Sequence, residues 1–371
     1  MKSFKKELEK KLIKSRYNNY GVENYDEFRF GKFSKVNEPH IGILIKFKRV
    51  IKKTIGYKKK LFLKPHIEFL EKYEDRLQFL YNQLNLEGQV LVVNIIAYRL
   101  LGYRKVMLPR NNKEYWAALD ISNSLCDPKD TYDPHFLHFI LQKCDLKKIG
   151  YDIELYYLGS GVAIDFFFEQ YAYKSENKPI VVVEKGDVVL DLGGCWGDTA
   201  LYFASKTGES GKVFSFEFIP DNLKLFNLNI SLNPTLQKLI EIIPRPVSNK
   251  SYKEVYFFDK GPGSKIQLEP FEGQTGIAMT LSIDDFVKEH KIDKVNFIKM
   301  DIEGAELGAL EGATETIKRF MPKLAIAIYH NLDDFVNIPL WISELGLGYK
   351  LYLDHYTIHS EETVIFAKVE R

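Results

Sequence analysis

The chain has 371 residues, a formal net charge of +2 and 45% apolar against 27% charged residues, the balance of an ordinary globular protein with room for two or three structural units. No apolar stretch nears the roughly 20 residues that cross a bilayer, and MKSFKKELEKK at the start lacks the apolar core of a signal peptide, so the expected location is the cytoplasm. Cys126, Cys144 and Cys195 form no C-x-x-C pair, which argues against a disulfide framework and against a zinc site.

Charge is unevenly spread. Residues 1–64 carry 19 Lys/Arg against 6 Asp/Glu, a basic N-terminal segment ahead of an acidic body. Within it IGILIKFKRVIKK (41–53) sets Leu44, Phe47, Val50 and Ile51 among five cations. That pattern suits a docking helix with a solvated charged face, or a peripheral contact with a membrane surface or an acidic protein. Nucleic acid is not expected as a partner, because no basic patch lies in the later part of the chain. Residues 65–150 read as a helical and mixed domain. Apolar residues at three- and four-residue steps predict two helices over 65–100, broken at Glu87 and Gly88. A short strand over 103–109 and a turn-rich loop over 111–134 follow, then a hairpin over 151–164 around Gly159 to Gly161.

The third expected unit, 151–371, changes character at Val188, where strands and helices begin to alternate. Strands are predicted at 188–193, 212–218, 239–243, 296–301, 323–329, 349–354 and 363–369, with another near 253–258. Helices are predicted between them at 199–206, 221–232, 282–290, 305–319 and 333–345. Alternation of this kind gives an α/β fold with a parallel sheet. The last two strands are joined only by HYTIHSEE, too short for a crossover, so they pair antiparallel. A mostly parallel seven-stranded sheet with a reversed last strand is the class I methyltransferase (Rossmann-like) variant of the doubly wound fold.

VVLDLGGCWGDTALYF (188–203) runs a strand through a glycine turn into a helix. Gly193, Gly194 and Gly197 permit a tight turn and leave main-chain N–H groups open to a ligand at a helix start. A G-x-G-x-x-G dinucleotide fingerprint from Gly193 would need glycines at Cys195 and Asp198, so a nicotinamide cofactor is disfavoured. Asp191, Gly193 and Gly197 instead follow D-x-G-x-x-x-G, the pattern of S-adenosylmethionine (SAM) pockets. Glu217 ends the next strand, where ribose hydroxyls need an acceptor. Cys195, inside the turn, reads as a small residue accommodating the ligand rather than a nucleophile.

Ligands in such sheets bind beyond the carboxyl ends of the strands. Those ends carry Asp191, Glu217, the run 246–249, Asp301 with Glu303, and His330 with Asn331, while the final hairpin adds Asp354, His355 and His359. The run NFIKMDIEGAELGALEGA (296–313), with TLSIDDF (280–286) and SFEFIPDNLKLFNLNISLNP before it, resembles the FkbM family of SAM-dependent methyltransferases over roughly residues 150–371. The resemblance implies SAM as methyl donor and O-methylation of a carbohydrate or secondary-metabolite hydroxyl. It places Asp191, Gly193 and Gly197 around the methionine of SAM, Glu217 on the ribose, Phe218 beside the adenine and Pro246 to Ser248 near its edge, with Asp301 facing the SAM amino group or the acceptor. Gly194, Cys195 and Trp196 depart from the family's A-N-x run, and Trp196 is the candidate for closing the pocket.

A sugar hydroxyl must lose a proton as it attacks. His330 is the expected base, because an unperturbed imidazole accepts protons near neutral pH; His355 and His359 are further candidates to bind or deprotonate the acceptor. A divalent cation held by Asp301, His330 and Asn331 is the metal alternative, disfavoured because only one ligand there is a firm carboxylate. Glu303 and Glu306 read equally as helix-start charges and as catalytic groups. N-methylation of an amino sugar or small molecule, and a non-catalytic binding protein on the same fold, are the competing functions.

Overall fold

The computed structural model describes residues 3–25, 27, 32, 33, 56–176 and 178–370, and the basic stretch 41–53 lies outside them. Two compact units are present: residues 1–111 with 357–361, and residues 112–356 with 362–371. The boundary between these two units falls at Asn111/Asn112.

Helices Phe4–Ser15, Gly56–Leu70, Glu74–Gln83 and Leu86–Leu101 make up most of the first unit. Phe4, Leu8 and Leu12 recur at four-residue steps and are buried, one apolar stripe facing the core. Three helices, not two, cover 56–101. The break falls at Asn85, whose side chain accepts from the Gly88 N–H at 2.9 Å and starts the last of them. No strand forms over 103–109. Asn24 Nδ2 donates to the carbonyls of Tyr103 (2.5 Å) and Val106 (2.7 Å) and holds this stretch as a loop.

The second unit opens with a helix, Lys113–Ser124, where a loop was expected; Asn112 caps it, accepting from the Tyr115 N–H at 3.0 Å. Strands β1 (Cys126–Tyr132), β2 (Leu141–Asp145) and β3 (Glu154–Tyr157) form an antiparallel sheet in that order. Cys126 lies opposite Cys144 in the β1–β2 register, and the two are joined by a disulfide. Their 18-residue separation concealed a pairing that only the register creates. The expected hairpin around Gly159 to Gly161 is absent: β3 pairs with β2, and the chain continues into helical turns at Gly159–Val162 and Ala163–Phe167, the latter π-helical. β4 (Tyr173–Ser175) and β5 (Lys178–Val181) make a small antiparallel pair.

The central sheet follows the reading closely. It contains β6 (Val188–Leu192), β7 (Lys212–Phe216), β8 (Ile240–Ile243), β12 (Phe297–Met300), β13 (Lys323–Ala327), β14 (Tyr349–His355) and β15 (Thr363–Val369), in the order β14-β15-β13-β12-β6-β7-β8. Neighbours from β13 to β8 are parallel, and β15 runs antiparallel to both β13 and β14. β12 and the last four residues of both β6 and β13 are fully buried, which explains their near-continuous apolar sequence. Helices Asp198–Thr207, Pro220–Ser231, Ile283–Glu289 and Leu332–Glu344 fall where expected. The helix expected over 305–319 is two, Glu306–Glu311 and Thr314–Phe320. Between them lies Gly312, where a Cβ would come within 2.3 Å of the Ser248 carbonyl. After β8 a three-stranded antiparallel insert, β10 (Lys265–Gln267), β9 (Glu254–Phe258) and β11 (Gly276–Met279), is added.

Candidate active site

The rim at the carboxyl ends of β6, β7, β12 and β13 gathers most of the expected residues, with roles set by what each side chain touches. Asp191 is completely enclosed. Its carboxylate accepts from Ser215 Oγ (2.7 Å) and Thr199 Oγ1 (3.0 Å) and pairs with Lys299 Nζ at 3.2 Å. With every lone pair directed into the protein, Asp191 braces the turn instead of touching a ligand. Lys299, buried on β12, also donates to the Gly193 carbonyl at 2.6 Å and so ties β12 to the turn.

The glycines are required by packing. Gly193 sits at φ 89°, and a Cβ there would lie 1.9 Å from the Asp301 carbonyl oxygen; one on Gly197 (φ 86°) would meet the Phe226 ring at 2.6 Å. The expectation that their N–H groups face a ligand is corrected: Gly193 and Gly194 both donate to the Phe216 carbonyl, at 3.1 and 2.9 Å, and Gly197 donates to Gly194 at 2.7 Å. Trp196 is no lid. It is buried with Leu141 and Leu225 and stands edge-on to Tyr157. Cys195 is half-buried at φ 43°, and burial with the Asp198 and Glu217 charges pushes its thiol well up, which removes it as a nucleophile.

Glu217 follows β7. One carboxylate oxygen accepts from the Phe218 and Ile219 N–H groups at 2.7 and 2.8 Å, the other from Asn222 Nδ2 at 3.1 Å. Burial pushes this carboxyl up to about 7, against those hydrogen bonds. Asn222 Oδ1 is buried without a hydrogen-bond partner among the described residues. Glu217 and Asn222 thus present an acceptor pair with unused capacity beside the turn, the arrangement a vicinal diol satisfies. Phe218, half-buried, stands edge-on to Phe257. Ser248 is half-buried and donates its N–H to Leu281 O at 3.3 Å.

Beyond β12 and β13, Asp301 accepts from Tyr171 (2.9 Å) and Tyr329 (3.2 Å). His330 lies between two carboxylates, Nε2 at 3.3 Å from Asp301 and Nδ1 at 3.1 Å from Glu306, with Glu303 3.7 Å from Nε2. Burial disfavours its charge, but Asp301 and Glu306 overcome this and lift the imidazole to about 11. Carboxylates set against both ring nitrogens favour the charged imidazole, which weighs against the base role expected of His330. Asp301 is held below its ordinary value, because His330 outweighs its burial. Glu303 has φ 58° and is followed by Gly304 at φ 94°, a turn that leaves its side chain 56% exposed. Partial burial, Asp301 and Glu306 push Glu303 up to about 7.

The other candidates lie elsewhere. His355 is 2% exposed, its Nδ1 2.8 Å from Thr363 Oγ1 across the final hairpin, a strand-pairing contact. His359 pairs with Glu361 at 2.9 Å within the loop 357–361 that forms part of the first unit. Asn331 caps helix Leu332–Glu344 by accepting from the Asp334 N–H at 2.7 Å, so it is not a ligand, and Glu306 stands in the place proposed for it. Donor atoms of Asp301, Glu306 and His330 lie within 4.8 Å of one another. The two carboxylates nevertheless address opposite ring nitrogens, whereas a cation takes only one, so this set fits a bridged imidazolium and not a resident divalent ion. Lys299, Tyr329 and Asn222 escaped the sequence reading, although Lys299 stands inside the IKMDIEGAE motif that marked the site.

A seven-stranded sheet of this order with a glycine turn after its central strand defines a class I methyltransferase-type unit. Residues 180–351 match the model of the methyltransferase FkbM domain. Hexuronic acid methyltransferase AglP of Haloferax volcanii is 28% identical over 137 residues, 36% of this chain and 53% of that protein. The chain thus matches about half the length of this curated relative. Among solved structures, methyltransferase FkbM from Methylobacillus flagellatus aligns with TM-score 0.49 and 18% identity, covering 81% of this chain and 60% of that one. A SAM-dependent O-methyltransferase from Thermotoga maritima aligns with TM-score 0.32 and 17% identity over 52% of this chain and 62% of its own.

Proposed function

We propose that this protein transfers the methyl group of SAM to a hydroxyl of a sugar, in a nucleotide sugar, glycan or polysaccharide precursor. The observation that carries the donor half is buried Glu217 beside Asn222, whose Oδ1 has no hydrogen-bond partner among the described residues, next to the glycine turn. The family match supports methyl transfer, and the name of the Haloferax relative supports a carbohydrate acceptor.

The donor's sulfonium supplies an already activated methyl group, so the protein's work is alignment and proton removal. The acceptor oxygen forms a bond to the methyl carbon as the carbon–sulfur bond breaks, and the hydroxyl proton passes to a base. Glu303 is that base in our reading: it is the exposed carboxylate of the rim, and it titrates near neutrality. His330, fixed by Asp301 and Glu306, holds the neighbouring charge in place. A second reading, methyl transfer to an amine, is favoured by the excess of Asp301, Glu303, Glu306 and Asp334 over a single imidazolium, which attracts a cationic acceptor. A screen of neutral, amino and acidic sugar acceptors with labelled methyl donor tests both. Label in neutral sugars supports the first, label confined to amino sugars the second, and label in neither, with SAM bound, removes sugars as the acceptor class.

A further inference from the structure

Away from the rim, a hollow of about 540 Å³ opens in the second unit, lined by residues to which no role has been given. Its size falls in the range of small-ligand sites, roughly 300–1,000 Å³. Tyr151 and Phe166 line it, edge-on to each other with ring centroids 5.3 Å apart, and Lys206 Nζ lies 4.7 Å from the Tyr151 ring. Phe166 is buried, but the next residue, Phe167, ends the π-helical turn Ala163–Phe167 with 38% of its surface exposed, and Ile121 at the same hollow is 43% exposed. Aromatic and aliphatic surface left open beside a cavity suits a ligand with a flat apolar face.

Charge sets the sign of that ligand. The carboxylate of Glu169 accepts from the hydroxyls of Tyr151 and Tyr202 at 3.0 and 3.3 Å and pairs with Lys206 at 2.5 Å and with Lys174. A carboxylate offers about four acceptor positions, so these donors saturate it. Burial opposes its charge, yet Lys174 and Lys206 hold it down to about 2, and it stays an anion. One negative charge thus answers two lysines, while Lys148, exposed at the same hollow, has no ion-pair partner among the described residues. The surplus is positive and attracts an anion. A uronate ring joins the two properties, with carbon-bound hydrogens on its face and a carboxylate at its edge. We propose that this hollow binds acidic sugar rings of an extended glycan, Phe167 lying against a ring face and Lys148 and Lys206 drawing the carboxylates. Lys206 stands near the end of helix Asp198–Thr207, about 12 Å by helical rise from the glycine turn that opens it. Two residues beyond Glu169, Tyr171 donates to Asp301 at the rim, so one segment serves both places. A single sugar does not reach from one to the other, whereas a short chain of sugars does. The proposal rests on the reading that the acceptor is a sugar, and within it selects a glycan chain over a nucleotide sugar.

Calorimetric titration of the full chain, without methyl donor, tests the proposal with three probes: trigalacturonate, a hyaluronan tetrasaccharide and neutral maltotriose. At least one acidic probe binds saturably to the wild type, more weakly as salt is raised, and maltotriose binds roughly 10-fold or more below it. Phe167→Ala and Lys148→Glu, both on exposed side chains, each weaken the acidic probe by roughly 10-fold or more and leave S-adenosylhomocysteine within about twofold, which also reports an intact fold. No saturable binding of either acidic probe up to about 1 mM, maltotriose binding as tightly, or variants binding as well as the wild type overturns the proposal. The sugar-acceptor reading is judged apart from this, by label transfer: acidic probes that bind but take no methyl group remove sugars as the acceptor and leave the hollow a glycan site.

Discussion

His330 shows how far contacts can move a side chain from the role its type suggests. Its ring is lifted from 6.5 to about 11 because it bridges Asp301 and Glu306. A group with a raised folded-state value contributes stability that is complete below its unfolded value and lost as pH rises through the folded one. The thermal midpoint of the wild type should thus lose this contribution between 6.5 and about 11, and His330→Gln, lower throughout, should show no such alkaline loss. Parallel melts across that range check it, and identical pH dependence in both proteins would refute the bridge. Glu303→Gln should leave S-adenosylhomocysteine affinity unchanged and lower turnover by about 10² to 10⁴, the range for loss of a general base; unchanged turnover removes Glu303 from the mechanism. Chelator treatment should alter neither binding nor turnover, and loss of turnover restored by Mg²⁺ would reinstate a metal at this cluster. Much of the rim was legible residue by residue, since Glu217, Asp301 and Glu303 stand at strand ends that the apolar runs mark. The charge on His330 was not, because it depends on Glu306 from another element.

At the scale of elements, long apolar strands and their crossover helices were readable because each is specified within its own few residues. β1, β2 and β3 were not, for a stated reason. Asn229 accepts from the Tyr156 N–H at 2.8 Å and Asn233 from the Glu154 N–H at 3.0 Å, contacts spanning 73 and 79 residues that hold β3 where local sequence suggested a hairpin. The same contacts join β3 to the helix Pro220–Ser231 region, which is why 112–150 forms part of the second unit. Asn229→Ala, which strands buried backbone groups of Tyr156 and Trp196, should cost about 1–3 kcal/mol of stability in denaturant unfolding. A cost near zero would mean that β3 is held by other means. The glycine turn behaves similarly, its pattern visible in sequence but its cause, contact with Asp301 and Phe226, visible only in space.

Across the molecule, the family match spans 180–351, leaving the N-terminal unit and the β1–β3 sheet without a counterpart in it. No helix among the described residues is long and apolar enough to cross a membrane. The proposed methyl transfer thus rests on the second unit, which holds Glu217 and Asn222 after β7, the braced turn after β6 and the charged residues after β12 and β13. The most direct test is calorimetric titration of SAM into the wild type and Glu217→Ala. Saturable binding to the wild type, weakened roughly 10- to 100-fold in the variant, is the predicted result. A wild type that does not bind SAM, or a Glu217→Ala protein that binds it equally well, would contradict the assignment of this strand-end rim to the donor.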